Sequence, residues 1–454
     1  MATSSEHKNA IWIFGDQHRA QALSCNGDPN LTTPNLDRLS SEGQNFERAV
    51  CGFPLCCPFR GSLLTSRYPH EAVPGHEYPL PEGMPTIADV FNDHGFDTAY
   101  FGKWHLGGFQ EREGRAAKMI IPPERRGSFN TWVGYENNNS QWDCWVHGGE
   151  GSDAFHHRLP GYETDALTEM LIDYIRKQGE ARKSGQGRPF FAALSVQPPH
   201  DPYVAPEPWM ARHNPAQLIM RPNVPPVARI EAEARRELAG AYAQIENLDW
   251  NVGRVRQALV EAGLDLDTHI IFFSDHGDQH GSHGQFRKTA PWEESLRIPF
   301  IVGGLQPRYE GRSGRPNAVV NHVDIAPTTL GLCGIDAPEW MRGHDYSGVR
   351  LPGRPQAVMP DSAFIQSVIP TGHGDSIDRP WRGIVTREEQ PWQARWKYVI
   401  LEGQPWLLFN LSEDPYELVN LAHNTRYRTE RARLQERLSE WLADTGDAFD
   451  MPKI

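Results

Sequence analysis

The 454-residue sequence predicts an α/β protein, a large and mostly parallel sheet flanked by helices, followed by a smaller α+β unit. Three observations carry this. Four short apolar runs alternate with helical patterns, each run stops abruptly at chemically able polar residues, and the pattern changes character from about Pro352 onward. A strand covered on both faces reads as a continuous apolar run, and strands alternating with helices build a parallel sheet.

Taken in order, the first run, AIWIFGDQH, extends from Ala10 through Phe14 and gives Asp16, Gln17 and His18. TPNLDRLSSEG then predicts a helix over Asn35–Gly43, with Thr33 as N-cap and Gly43 as stop. In CGFPLCCPFRGSLLTSRYPH (Cys51–His70), Pro58 falls in the first turn of a helix, where proline is tolerated. Cys56 then sits at a helix N-terminus, whose free amides and dipole favour anionic oxygen. The second run, DTAYFGKWHLG, ends at Phe101 and gives Lys103 and His105. TDALTEMLIDYIRKQG predicts a helix from an N-cap at Thr164 to a stop at Gly179. The third run, PFFAALSVQPPHDPY, ends at Val196 and gives His200. A long helix follows over Glu233–Gly263, and the fourth run, HIIFFSDHGDQHG, ends at Phe273 and gives Asp275 and His276. Ligands of such sheets bind beyond the carboxyl ends of the strands, so the four polar clusters are expected to converge.

Beyond these elements, RWKYVILEGQPWLLFNLSEDP reads as a hairpin around Gly403, closed by the Asp414-Pro415 turn. TRYRTERARLQERLSEWLADTG reads as a terminal amphipathic helix with Leu434, Leu438 and Leu442 on one stripe. The expected division is a catalytic α/β domain over 1–355 and a C-terminal α+β subdomain, an antiparallel sheet plus the terminal helix, over 356–454. The Pro- and Gly-rich loops around 196–226 and 350–380 serve as connectors or pocket walls.

Composition narrows the function. A net charge of −13 argues against a general nucleic-acid or anionic-membrane surface. No window reaches the roughly 18 apolar residues of a membrane span. The start, MATSSEHKNAIWIFGD, lacks a basic region followed by a long apolar stretch, and six cysteines in so long a chain do not resemble a disulfide framework. A cytoplasmic location is expected.

Asp16 and Asp275 end separate strands and could grip one divalent cation, with Gln17 and His276 adding a neutral oxygen and an imidazole. Such ligation suits Ca2+ or Mg2+, and the imidazole leaves Mn2+ open. Singly, a strand-end aspartate serves as well as a cap or turn former.

The pattern Cys56-Cys57-Pro58-Phe59-Arg60, followed by GSLLTSRYPH, strongly resembles the type I sulfatases of the alkaline phosphatase superfamily. TTPNLDRLSSEG, GKWHLG, SDHGDQHGSHGQFRKTAPWEESLRIPFIV, DIAPTTLGLCGI and FNLSEDPYELVNLA look like family blocks in family order. The resemblance implies an alkaline-phosphatase-like fold, one divalent metal ion (Ca2+ first, Mg2+ or Mn2+ next), and oxidation of Cys56 to formylglycine by a formylglycine-generating enzyme that reads the Cys, Pro and Arg. It implies that Asp16, Gln17, Asp275, His276 and the modified Cys56 hold the metal. Arg60 and Lys103 would stabilise the ionised hydrate oxygen. Lys288 and His200 would bind the sulfate and protonate the leaving oxygen, and His105 would take the second hydroxyl proton. The implied substrate is a sulfated sugar or a small aryl or alkyl sulfate; oligomeric state is left open, with a homo-oligomer admitted.

Three positions depart from the family pattern. Phe59 stands where a serine is usual, and Gln17 and His276 stand where most sulfatases carry aspartate and asparagine. The last two look like phosphonate monoester and phosphodiester hydrolases of the same superfamily, which is the alternative reading; GKWHLG favours sulfate esters. Cys57 reads as a small filler. His280 and His283 could be further ligands, though the resemblance makes His283 structural or an outer support. TWVGYENNNSQWDCWVHGGEGSDAFHHR is either a substrate wall of flat aromatics or an ordered surface loop. Trp292 reads as packing, and His18 and His322 as satisfied polar or core residues.

Overall fold

The computed structural model describes residues 7–304, 311–356, 358–372 and 377–453. Residues 1–6, which carry part of the expectation about the start of the chain, lie outside them, as do 357 and 373–376 of the loop around 350–380.

Nine strands among the described residues form the main sheet: β1 (Asn9–Gly15), β2 (Gln44–Asn45), β3 (Asp97–Lys103), β4 (Thr131–Tyr135), β5 (Trp145–Gly148), β6 (Phe155–Arg158), β7 (Phe190–Ser195), β8 (Thr268–Ser274) and β9 (Phe300–Gly304). Their order is β2-β9-β8-β1-β7-β3-β4-β5-β6. The four apolar runs are β1, β3, β7 and β8. They lie side by side as β8-β1-β7-β3, all parallel, with Phe14 opposite both Phe273 and Ser195. Burial on both faces explains their composition. Trp12, Phe14, Phe191 and Phe273 pack on one side, with Phe14 stacked on Phe273 at 4.7 Å, and Ile11, Ile13, Leu194 and Phe272 pack on the other.

The edges are antiparallel, β9 on β8 and β5 and β6 beyond β4. Thus the Trp-, Asn- and His-rich stretch over 131–158 is neither solely a wall nor a loop. It supplies β4, β5 and β6, because the outer edge of β3 offers unpaired backbone groups that the next segment can satisfy.

The helices follow the sequence with instructive exceptions. Pro34–Glu42 ends at Gly43 as expected, but Thr33 does not cap it; its hydroxyl donates to Asp37, and Asp249 of the long helix accepts the Leu36 amide at 2.7 Å instead. Cys56–Thr65 is a helix that begins at Cys56 itself. The long helix starts at Ala228 rather than Glu233 and stops at Gly263, where φ is +70°. Two expectations fail on the helix Glu163–Lys183: Tyr162, not Thr164, takes the N-cap position, and the helix runs past Gly179. Gly179 is a crossing point, since a Cβ there would lie 2.8 Å from the Ala262 Cβ of the neighbouring helix.

A second sheet, β10 (Ser362–Ser367), β11 (Trp381–Thr386), β12 (Trp396–Leu401) and β13 (Gln404–Asn410), is antiparallel in chain order. The terminal helix Arg428–Thr445 lays Leu434, Leu438 and Leu442 against Phe364, Ile384, Tyr398 and Leu408. Each such leucine contributes about 2 kcal/mol of burial. The opposite face, with Ile365, Trp381 and Val399, packs on Val50, Leu296 and Val319. No helix among the described residues is long and apolar enough to cross a membrane.

Candidate active site

The parallel centre sends Asp16, Lys103 and Asp275 off one end of the sheet, from the ends of β1, β3 and β8. The helix Cys56–Thr65 brings Cys56 and Arg60 to the same place. One ligand atom from each of Asp16, Cys56, Asp275 and His276 lies within 4.8 Å of the others, and all four residues are buried. Lys103 Nζ donates to Asp16 Oδ2 at 2.5 Å. Arg60 Nη2 reaches Asp16 Oδ2 at 3.3 Å and Asp275 Oδ2 at 3.4 Å, while its Nη1 donates to Ser195 Oγ and to the Lys103 carbonyl at 2.8 Å each. Cys56 Sγ lies 3.2 Å from His276 Nε2 and 3.4 Å from Lys288 Nζ. Lys288 Nζ also touches Gln17 Oε1 at 2.9 Å and His200 Nε2 at 3.1 Å.

Backbone geometry aims these groups. Gln17 turns the chain off β1 with φ at +71°, and its amide and that of His276 both donate to Asp275 Oδ1, at 2.9 and 2.8 Å. His276 Nδ1 bonds the Gly277 carbonyl at 3.0 Å, which assigns a proton to Nδ1 and turns Nε2 into the cluster. Apart from the Cys56 sulfur, the donors are carboxylate, amide oxygen and imidazole, a set that fits Ca2+, Mg2+ or Mn2+.

The electrostatics agree. Burial works to raise the Asp16 carboxyl, but Lys103 first, with Lys288 and Arg60, holds it well below the usual range. Burial and Asp16 oppose ionisation of the Cys56 thiol, yet Lys288, Lys103 and His276 pull it below its ordinary value. Burial disfavours a charged His276, and Asp275 outweighs it, raising its proton affinity; a bound cation takes that proton's place. His200 is pushed down to about 4 by burial and by Lys288, and is neutral at pH 7.

Of the residues expected to hold the metal or act in catalysis, all but His105 make the contacts above. The His105 ring sits 5.5 Å from that of His76, and a ligand atom of each lies within 4.8 Å of one from Cys57. Burial holds His105 well below its ordinary value, and its Nδ1 has no hydrogen-bond partner among the described residues. Glu136 anchors the loop that carries it by accepting the amides of Gly107, Gly108 and Phe109. His283 stands apart, stacked on Trp292 at 4.3 Å, and His280 lies between Glu237 and Asp278. Phe59 packs on His322 at 5.1 Å and on Phe273, so a core contact replaces the usual serine. His18 Nε2 donates to the Ala22 carbonyl at 2.9 Å, buried as expected. Sequence reasoning missed Ser195, Asp278, Tyr203 and Glu136, which carry no spacing signature.

A cluster of candidate cation ligands, a helix-terminal cysteine and three converging cationic side chains at the carboxyl ends of a parallel sheet fit an enzyme that hydrolyses an anionic ester. The comparisons narrow this. The Sulfatase family model matches residues 8–335, and the model for the C-terminal part of N-sulphoglucosamine sulphohydrolase matches residues 281–444. An ulvan-active sulfatase from Formosa agariphila is 32% identical over 97% of this chain and 82% of its own. An endo-4-O-sulfatase from Bacteroides thetaiotaomicron is 28% identical over 93% of this chain and 89% of its own. A Bacteroides fragilis structure described as a candidate sulfatase, yidJ, superposes with a TM-score of 0.85 at 26% identity, covering 99% of this chain and 98% of that one. The chain belongs to the sulfatase family and is a sulfuric ester hydrolase.

Proposed function

We propose that this enzyme cleaves sulfate monoesters of saccharides through a formylglycine made from Cys56, beside one divalent cation, Ca2+ before Mg2+ or Mn2+. The observation that carries this is Cys56 Sγ at a helix N-terminus, within 3.4 Å of Lys288 Nζ and clustered with Asp16, Asp275 and His276. In that cradle the cation would supply Lewis-acid charge to the sulfate oxygens, and formylglycine would supply the hydrate hydroxyl as nucleophile.

The protein's own groups do the rest. Asp16, Gln17, Asp275 and His276 hold the cation. Arg60 and Lys103 balance the buried carboxylates and stabilise the nucleophile's negative oxygen. Lys288 grips the sulfate; its ammonium donates to His200 Nε2, so the proton for the leaving oxygen resides on Nζ and passes through or beside the neutral imidazole. His105, neutral through burial, accepts the proton that releases sulfate. The saccharide preference rests on a cleft of about 360 Å3 lined by Arg115, Asn137, Asn138, Asn139 and Ser140, groups suited to sugar hydroxyls. Gln141 next to it donates to the His200 carbonyl at 3.0 Å, linking cleft and centre. Two of the relatives act, by name, on ulvan and as an endo-4-O-sulfatase. The free cysteines suit a reducing, cytoplasmic setting and maturation by a formylglycine-generating enzyme. We place the division between catalytic domain and C-terminal subdomain at 355/356.

Gln17 and His276 support a second activity, on phosphonate or phosphate diesters. PehA of Trinickia caryophylli, a multifunctional member of the superfamily, is 27% identical over 92% of both chains. The test is Cys56→Ala, with mass spectrometry of the Cys56 peptide from active enzyme. The expected outcome is lost sulfatase turnover and a peptide lighter by one sulfur and two hydrogens less one oxygen. Full activity in Cys56→Ala, or active enzyme with an intact thiol, refutes the nucleophile. Aryl sulfate and phenyl phosphonate turnover, measured side by side, rank the two activities.

A further inference from the structure

The chemistry around Gln17 dictates which way its amide faces. Its Nε2 lies 2.5 Å from Asp278 Oδ2 and 3.2 Å from Tyr203 Oη, and its Oε1 lies 2.9 Å from Lys288 Nζ. A carboxylate only accepts and an ammonium only donates, so the nitrogen must face Asp278 and the oxygen must face Lys288 and the cation cradle. Asp278 is itself pinned. Its Oδ1 accepts the amides of His280 and Arg287 at 3.0 Å each, and its Oδ2 also accepts Tyr203 Oη at 2.6 Å. Tyr203 is braced by Arg287, which pairs with Glu237. Gln17 and Asp278 are both fully buried. A glutamate at position 17, the isostere of glutamine, would bring two buried anions together at the same distance.

We propose that Asp278 is a positioning residue of the cation site: it fixes the Gln17 carbonyl on the cation and supplies, one hydrogen bond behind it, the negative charge that a carboxylate at position 17 would carry. The inference rests on the reading of Gln17 as a ligand. It makes positions 17 and 278 a matched pair, and it keeps the inner face of the cradle less repellent to an approaching sulfate while the charge nearby is retained.

The test is calorimetric titration of Ca2+ and Mn2+ into chelator-stripped protein, with melting curves of each metal-free variant. In Asp278→Asn the new amide nitrogen turns the Gln17 carbonyl away from the cradle, and cation affinity falls roughly tenfold or more. Gln17→Glu sets two carboxylates against each other and loses affinity as well. The exchanged pair, Gln17→Glu with Asp278→Asn, restores donor to acceptor and recovers the wild-type affinity to within about twofold. A structural defect would not be rescued by this exchange. Tyr203→Phe, which removes a donor to Asp278 and leaves its charge, stays within about twofold of wild type. Asp278→Asn binding like wild type, losses that simply add in the double variant, or Tyr203→Phe as weak as Asp278→Asn would each overturn the proposal. Asp275→Ala is the separate control: if it binds like wild type, the cation is held elsewhere and the ligand reading itself fails.

Discussion

Replacing Lys103 by methionine isolates the electrostatics of the cradle. Methionine fills a similar volume without charge, and the lost ammonium lies 2.5 Å from Asp16 Oδ2 with both side chains fully buried. Removing one partner of a buried ion pair costs about 3–5 kcal/mol, because the remaining charge is stranded. Arg60 Nη2, 3.3 Å from the same oxygen, remains and sets the expectation at the lower end, about 3 kcal/mol. At roughly 2.1 cal/mol/K per residue, the unfolding entropy of a 454-residue chain is about 1 kcal/mol/K. The chelator-treated variant should therefore melt about 3 °C below the wild type. Calcium replaces the missing positive charge beside Asp16, so saturating calcium should narrow that gap. Turnover should fall by about 10²–10³, as for loss of one preorganised charge. Scanning calorimetry with chelator and with calcium, alongside aryl sulfate hydrolysis, reads all three. A metal-free variant that melts with the wild type, or a gap that calcium leaves unchanged, refutes the reasoning.

Two further outcomes concern stability. Burial raises the Glu163 carboxyl from 4.5 to about 7, against the bonds it accepts from Tyr135 and the Gln197 amide. Because the folded value lies above the unfolded one, its contribution is full below about pH 4.5 and is lost as pH rises through about 7, roughly 3 kcal/mol over that window. Glu163→Gln should flatten the decline in unfolding free energy between pH 5 and about 7.5, measured by urea denaturation; an unchanged slope contradicts it. Gly179→Val would drive its side chain into Ala262 and lower the urea midpoint by the equivalent of about 1–3 kcal/mol, with turnover per folded molecule unchanged. A neutral midpoint would mean that Gly179 is no crossing point.

Much of the centre was legible because its constraints are local. A strand buried on both faces must be apolar, so β1, β3, β7 and β8 announce themselves, and the polar residues just past them have to fall at one end of the sheet. A proline in the first turn fixed where the Cys56 helix begins, while the parts expected of Cys56 and Arg60 came from the resemblance of CCPFR to the sulfatase motif. What escaped depends on partners far along the chain. Thr164 looks a better cap than Tyr162, yet Tyr135 holds Glu163 and Asn247 and Asn251 hold Asp165, so tertiary bonds fix the helix start. Gly179 reads as a stop only until Ala262 is seen against it. Ser195, Tyr203 and Asp278 have ordinary neighbours, and their importance arises from Arg60 and Gln17, respectively, which no periodicity connects to them. The stretch over 131–158 lacks clean alternation and becomes strand because β3 has an open edge.

Burial of the Cys56–Thr65 helix sets an order of events in the life of the molecule. Cys56 and Arg60 are each 2% exposed and Pro58 between them is buried, all locked into helical turns under the rest of the fold. A second protein that must grasp the cysteine, the proline and the arginine together cannot reach them there. On the proposed formylglycine chemistry, the oxidation of Cys56 would therefore have to happen while the segment is still an open strand of polypeptide, with folding sealing the finished reagent inside.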